Sequence, residues 1–364
     1  MTGRAARGYR AAIVGCGRKA ATLDDEVRCR INYSIPPDTH AAAYQLIPSV
    51  RLVAAADPND SKRRVMQARY RTPAVYADYR EMFAKERPDL VSITTRAPLH
   101  AEITIAAAEA GAKGVLCEKA MATSLAQADA MITACRRAGT VLMVNHTRRW
   151  HPTFERAARL VRGGAIGALR CVVGVCPGPL IHNGTHLFDA MRLFGGEVAW
   201  VTGDVRSEAL EDAPGHAMLG FQSGAIGLVD LDSAIGFAIE LQGATGRLFI
   251  DPTEDGVTVW EYQDPPPPEG QRAWYQGRPC RERVARHVPG GGGRGTLVAA
   301  IEELIGCIEA AADAAPGGGR RNRSSGEDGR AALEIALAVY SSHAHDGARV
   351  ALPLPARDLT VTSR

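Results

Sequence analysis

Lysine is scarce in this chain, occurring only at positions 19, 62, 85, 113 and 119 against a large excess of arginine. One of the five closes the run Val115-Leu116-Cys117-Glu118-Lys119, which reads as an apolar strand ending in a charged pair. A lysine at the carboxyl end of a strand in an open α/β sheet points into the crevice where such folds bind ligands. There an ammonium group can exchange a proton with a substrate hydroxyl, which arginine, never deprotonated, cannot do. The chemistry expected is redox chemistry on an alcohol. A surface salt bridge between Glu118 and Lys119 is the plainer alternative.

Such a lysine needs an oxidant beside it, and the first strand runs into a turn suited to one. Gly15-Cys16-Gly17-Arg18-Lys19 follows the apolar run Tyr9 to Val14, with the small residue Ala20 at the third glycine position. Alone the match is weak. Its support is Asp57, at the end of Ala54-Ala55-Ala56-Asp57-Pro58, where a carboxylate would grip the ribose hydroxyls of NAD. That carboxylate would repel a 2′-phosphate and favours NAD, while Lys62 and Arg63 nearby keep NADP open. The interval from Gly17 to Asp57 is about twice the usual spacing of roughly 20 residues. We assign the excess to a loop insert, Lys19 to Asp38, ahead of a helix at Thr39-His40.

The elements that must hold these residues follow from hydrophobic patterning. Strands are expected at Tyr9–Val14, Arg51–Ala56, Leu90–Thr94, Gly114–Cys117 and Val141–Val144, with helices at His40–Ile47, Ser61–Tyr70, Ala101–Ala110 and Ser124–Ala138 between them. The alternation predicts an α/β fold with an N-terminal Rossmann domain, a doubly wound parallel sheet, over residues 1–147. After Trp150 the pattern changes. A helix at Phe154–Arg162, strand-like segments from Ala168 to Trp260 and a helix at Thr185–Phe194 predict an α/β domain with a mostly antiparallel open sheet over 148–364. Ser325-Gly326-Glu327-Asp328 reads as a capped start to a last amphipathic helix.

A length of 364 residues suits two domains, and 46% hydrophobic content suits packed interiors. Net charge is +3, which gives no electrostatic reason to expect nucleic acid. No apolar run approaches the roughly 20 residues of a membrane span. Eight scattered cysteines without a C-x-x-C pair, and no secretory signal at Met1 to Arg10, predict reduced thiols in a cytoplasmic protein.

Taken in order, these motifs resemble the Gfo/Idh/MocA oxidoreductases over nearly the whole chain. The residues that carry the resemblance are Gly15-Cys16-Gly17, Asp57-Pro58, Thr95 to His100, Cys117-Glu118-Lys119, Arg148-Arg149-Trp150-His151-Pro152 and Gly184-Thr185-His186-Leu187-Phe188-Asp189. The resemblance implies NAD(P)-dependent interconversion of a hydroxyl and a ketone on a sugar, cyclitol or similar polyol, by a homo-oligomer. It implies Lys119 as proton donor and acceptor, His186 close to the reacting carbon, and Thr95, His100 and Glu118 at the cofactor. Two departures stand out. Ala120 follows Lys119 where the family carries proline, and His182 stands where it carries aspartate.

His182 and His186 are four apart, so both could face the pocket, and His182 is read either as a proton relay or as a helix-start hydrogen-bonder. The pair imitates a metal site but lacks the Glu of H-E-x-x-H, and only distant His146 and His151 could add imidazoles, so no metal is expected. Asp189 is expected to orient His186. His146, Arg148, Arg149 and Asn183 are candidates for substrate hydroxyls or phosphate, with a structural ion pair the plainer role for either arginine. Arg278, Arg281, Arg283 and Arg286 read either as a solvated loop or, for a phosphorylated or nucleotide-linked substrate, as phosphate ligands. Two competing functions share the motifs: a glycosidase that oxidises its substrate transiently with tightly held NAD, and a non-catalytic NAD or sugar sensor.

Overall fold

The run Tyr9–Val14 is buried at five of its six positions, as expected for a central strand covered on both faces, and it forms β1. The structure, a computed structural model, describes residues 8–27, 35–207, 210–234, 236–251, 256–263, 281–290, 293, 295–313 and 322–362. Arg278 lies outside these residues, and of Arg281, Arg283 and Arg286 only the backbone is described.

From β1 the chain continues through α1 (Leu23–Val27), α2 (His40–Gln45), β2 (Val50–Ala56), α3 (Asp60–Tyr70), β3 (Ala74–Tyr76) and α4 (Tyr79–Glu86). It then forms β4 (Leu90–Ile93), α5 (His100–Glu109), β5 (Gly114–Cys117), α6 (Leu125–Ala138) and β6 (Val141–Val144). The six strands are parallel in the order β3-β2-β1-β4-β5-β6. The order reverses between β1 and β4, which is where doubly wound sheets open a ligand crevice. Strand ends align along that edge: Gly15 follows β1, Asp57 β2, Thr94 and Thr95 β4, Glu118 and Lys119 β5, and Asn145 and His146 β6.

The predicted insert is not loop from its start. A π-helical turn, Arg18–Thr22, begins directly after Gly17 and runs into α1, because Ala20 and Ala21 are fully buried against the sheet's core. The carboxylate of Asp24 accepts from the backbone N–H of Asp38 at 2.6 Å and from the Thr39 hydroxyl, tying the insert's two ends together.

The second half begins with α7 (Pro152–Arg162), β7 (Leu169–Val175), α8 (Thr185–Gly195), β8 (Val198–Val205), β9 (Gly215–Phe221) and β10 (Ile226–Asp230). It ends with β11 (Ala238–Gly243), β12 (Gly246–Ile250), β13 (Val257–Gln263), β14 (Arg281–Val288), α9 (Thr296–Asp313), α10 (Gly326–His343) and β15 (Val350–Ala351). The nine strands form one sheet, antiparallel except where β10 pairs with β7. Both sheets and their fold class match the expectation. Two helices complicate a simple division at residue 147. Helix α9 returns to the first sheet, its Leu297, Ile301 and Leu304 packing with Tyr9, Ala11 and Leu116. Helix α10, opened by the expected Ser325–Asp328 capping box, packs against both β8 and α6. Among the described residues no helix is long and apolar enough to cross a membrane.

Candidate active site

Lys119 leaves the sheet one residue after Glu118, whose N–H still donates to Ile93 O at 2.9 Å and so extends β5 past its last paired residue. Its Nζ donates to the backbone O of His182 at 2.5 Å, joining the first sheet's edge to the π-helical turn Leu180–Gly184 that precedes α8. Burial pushes the Lys119 pKa down to about 8. Glu118 pulls it back up, while Lys19 and Arg148 push it further down. The peptide from Lys119 to Ala120 is cis.

Glu118 is buried, and its Oε1 is crowded with donors. Asn145 Nδ2 donates to it at 2.7 Å, His40 Nε2 lies at 3.0 Å, and Lys19 Nζ at 3.9 Å. Burial by itself would raise this carboxyl's pKa. Lys19, then His40 and Asn145, outweigh it and hold the group ionised well below the usual carboxylate range. His40 and Asn145 are absent from the sequence-based site. The one signal for them was position: Asn145 directly follows an expected strand and His40 opens an expected helix.

The turn after β1 fits a dinucleotide. Gly15 has φ +92°, and a Cβ there would lie 2.9 Å from the backbone N of Thr95, whereas a Cβ on Gly17 would meet nothing within 4 Å. One glycine therefore lets two strands' loops close together, and the other leaves open space at the helix start. Asp57 accepts from Cys16 N–H and Asn59 N–H, both at 2.8 Å, so its carboxylate is fixed at the end of β2. Arg63 is committed to the carbonyls of Asp57 and Pro58 and to Asp60. Two buried oxygens along the same edge, Thr95 Oγ1 and Asn145 Oδ1, have no hydrogen-bond partner. Unpaired buried acceptors are rare enough to mark where a ligand's donors belong, and a nicotinamide carboxamide offers such donors. These residues fit NAD.

His100 is buried between two loops of the same edge. Its Nδ1 lies 2.9 Å from Ala120 O and its Nε2 3.0 Å from Thr95 O, in the buried space behind the crevice. Burial lowers its pKa, and a neutral ring has a single N–H to donate. It therefore donates to one of these two carbonyls and packs between the β4 loop and the turn that carries Lys119.

Across the crevice, His186 is held near neutrality by burial, with Arg148 and Lys119 pushing the same way, and its Nδ1 has no partner. Its ring sits edge-on to His146 at 5.9 Å between centroids. Asp189 does not orient His186, as was expected. It is fully buried and accepts from Arg149 Nε at 2.8 Å and Nη2 at 2.7 Å, with His146 Nδ1 at 3.4 Å. Arg149 correspondingly takes the structural ion-pair role. Its guanidinium also reaches Asp328 and the backbone O of Arg323, pinning α8 and α10 to the junction. A forked guanidinium satisfies a buried carboxylate better than one imidazole can, which decides the pairing.

Arg148 stacks on Phe237 at 4.3 Å and keeps its charge close to Lys119 and His186. Asn183 Nδ2 donates to Pro177 O at 2.6 Å and braces the turn. His182 is an exposed residue, and its pKa is pushed down to about 4, first by Lys119 and then by partial loss of hydration. It lines a cavity of about 540 Å³ with Arg206, Glu211 and Asp212. The contact with Lys119 is through its carbonyl, because residues 180–184 wind as a π-helix and not in the α-helical register assumed for the pair.

Residues 9–146 match the family described as "Oxidoreductase family, NAD-binding Rossmann fold", the Gfo/Idh/MocA family. Over its first half the chain is thus similar to the Gfo/Idh/MocA oxidoreductases. It is 31% identical over 237 residues to a D-apiose dehydrogenase from Paraburkholderia graminis, which covers 57% of this chain and 63% of that protein. It is 28% identical over 247 residues to a myo-inositol 2-dehydrogenase from Thermotoga maritima, covering 60% and 73%. The chain thus spans a little under two thirds of the first relative's length. The fold resembles an aldose-aldose oxidoreductase from Caulobacter crescentus solved with glycerol, with TM-score 0.73, 23% identity, and coverage of 95% and 100%.

Proposed function

We propose that this chain is an oxidoreductase of the Gfo/Idh/MocA kind, an NAD-dependent dehydrogenase or reductase that interconverts a hydroxyl and a ketone on a sugar, cyclitol or similar polyol. The observation that carries the reading is Lys119, an amine at the crevice with its pKa near neutrality, held by one carbonyl beside an ionised Glu118. Gly15, Gly17, Asp57, Thr95, Asn145 and Glu118 would hold the cofactor, which supplies the hydride acceptor or donor when bound. Neutral Lys119 takes the proton of the substrate hydroxyl during oxidation, and the ammonium returns it during reduction. The carbonyl of His182 orients Nζ, and the unpaired Nδ1 of His186 hydrogen-bonds the reacting or neighbouring hydroxyl. Arg148 keeps positive charge where alkoxide character develops. Relatives named for D-apiose and myo-inositol direct the first screen to neutral pentoses and cyclitols.

Two secondary readings go with this one. The exposed side chains of Met218 and Leu228, paired across β9 and β10, make the open face of the second sheet a candidate contact between copies. The six described cysteines are free, five of them buried, in keeping with a reducing, cytoplasmic setting. The test is formation of NADH with such a panel, using wild type and Lys119→Arg. NADH binding together with turnover that the substitution abolishes supports the proposal. Turnover unchanged in Lys119→Arg would remove it, and light scattering on the same samples reports the oligomeric state.

A further inference from the structure

Beneath the crevice, a chain of buried polar side chains ends on Glu118. Tyr44 OH lies 2.7 Å from Ser92 Oγ, Ser92 Oγ 2.8 Å from His40 Nδ1, and His40 Nε2 3.0 Å from Glu118 Oε1. Ser92 and His40 are fully buried and Tyr44 is 1% exposed. Because Glu118 is ionised, it only accepts, so the His40 Nε2 must carry the proton. Burial lowers the His40 pKa and keeps the ring neutral, so Nδ1 is an acceptor, Ser92 donates to it, and Tyr44 donates to Ser92. Every hydrogen in the chain points the same way, toward one carboxylate oxygen. Directed chains of this kind polarise one another and specify a single arrangement.

We propose that His40 is a positioning residue of the active crevice, which through the Tyr44–Ser92–His40 chain fixes the Glu118 carboxylate beside Lys119 and thereby sets the charge state of that lysine. Nothing in this role touches substrate, and it rests on the proton function of Lys119 proposed above. Burial disfavours the Lys119 ammonium, and Glu118 is the strongest group opposing burial. The other charged or titratable neighbours of Lys119 are Lys19 before α1, Arg148 after β6, Cys176 after β7, His182 before α8 and His186 at the start of α8. Glu118 itself faces His40, Lys19 and Asn145, with His100 within electrostatic reach. Of the two hydrogen bonds to Glu118, the one from His40 is oriented from behind by further buried groups. Losing it leaves a buried carboxylate short of a donor, which then protonates more readily or turns away. In either case Lys119 loses its counter-charge and titrates lower.

The small number of lysines makes this directly measurable in the full-length chain. Reductive methylation with 13C-formaldehyde labels five lysine side chains, and Lys119→Arg identifies the Lys119 resonance. We expect the wild-type Lys119 signal to titrate well below the other lysines. In His40→Leu and in Ser92→Ala it should move a further one pH unit or so down, the direction that Glu118→Gln also produces. His40→Gln, whose amide can still donate to Glu118, should restore most of the wild-type value. Ser92→Ala keeps the test open should His40→Leu not fold, as judged by circular dichroism. A Lys119 signal unmoved in folded His40→Leu or Ser92→Ala, with wild type titrating low, overturns the role of His40 alone. An ordinary lysine titration in wild type overturns instead the proton function of Lys119 on which it rests.

Discussion

The pH dependence of Lys119 is the most direct consequence of the site. An unperturbed lysine has a pKa near 10.5, whereas burial beside Lys19 and Arg148 pushes this one down to about 8 despite Glu118. At pH 7 an unperturbed lysine is neutral in roughly one molecule in 3,000, and one with a pKa of about 8 in roughly one in ten. The environment therefore raises the population of the proton-accepting form by roughly 300-fold at that pH. The sign follows from which form each direction needs. Oxidation uses the neutral amine, so its kcat/KM should rise with pH and level off above about 8. Reduction uses the ammonium and should be level below that pH and fall above it. Lys119→Arg keeps the charge and cannot release a proton, so it should cost about 10²- to 10⁴-fold in both directions while leaving NADH binding largely intact. Steady-state rates from pH 6 to 10 in both directions, with fluorescence titration of NADH, make the test. An oxidation rate that keeps rising to pH 10 without levelling off, or an arginine variant within a few-fold of wild type, would refute the reasoning.

Asp57 and the glycine turn give further expectations at the cofactor site. Asp57→Ala removes the acceptor of Cys16 N–H and the carboxylate proposed to hold the ribose, and should weaken NADH by roughly 10- to 100-fold while narrowing its advantage over NADPH. Fluorescence titration with the two nucleotides would show it. Gly15→Ala puts a Cβ 2.9 Å from Thr95 N at a φ of +92°, so both NADH affinity and the melting temperature should fall, by about 1–3 kcal/mol in stability. Arg149→Ala leaves Asp189 buried without its forked partner and should destabilise the fold by about 3–5 kcal/mol in urea unfolding. A stable Arg149→Ala protein with only a raised substrate KM would restore the arginine to the substrate site.

The fold was legible because its signals are local. Apolar runs at Tyr9–Val14, Gly114–Cys117 and Val141–Val144 became strands with those bounds, since a strand buried on both faces is continuously apolar over a few residues. Less was readable where the cue was weak or interrupted. The turn at Arg18–Thr22 was hidden because its helical run stops after α1, and the short strand β3 has only three residues to announce it. Lys119 was found for the same reason as the strands, because its place is set by the strand directly before it.

What the sequence by itself determined was which side chains arrive at the edge of the first sheet: the glycine turn, Asp57, Glu118 and Lys119, each fixed by the end of its own strand. Tertiary structure alone decided their partners. Lys119 meets a carbonyl 63 residues away, Glu118 a histidine 78 away, and Asp189 an arginine 40 away and not the histidine three residues before it. Burial sets that choice. Once water is excluded, a carboxylate takes the donors whose geometry satisfies it best, and which donors those are depends on how the elements pack and not on their spacing along the chain.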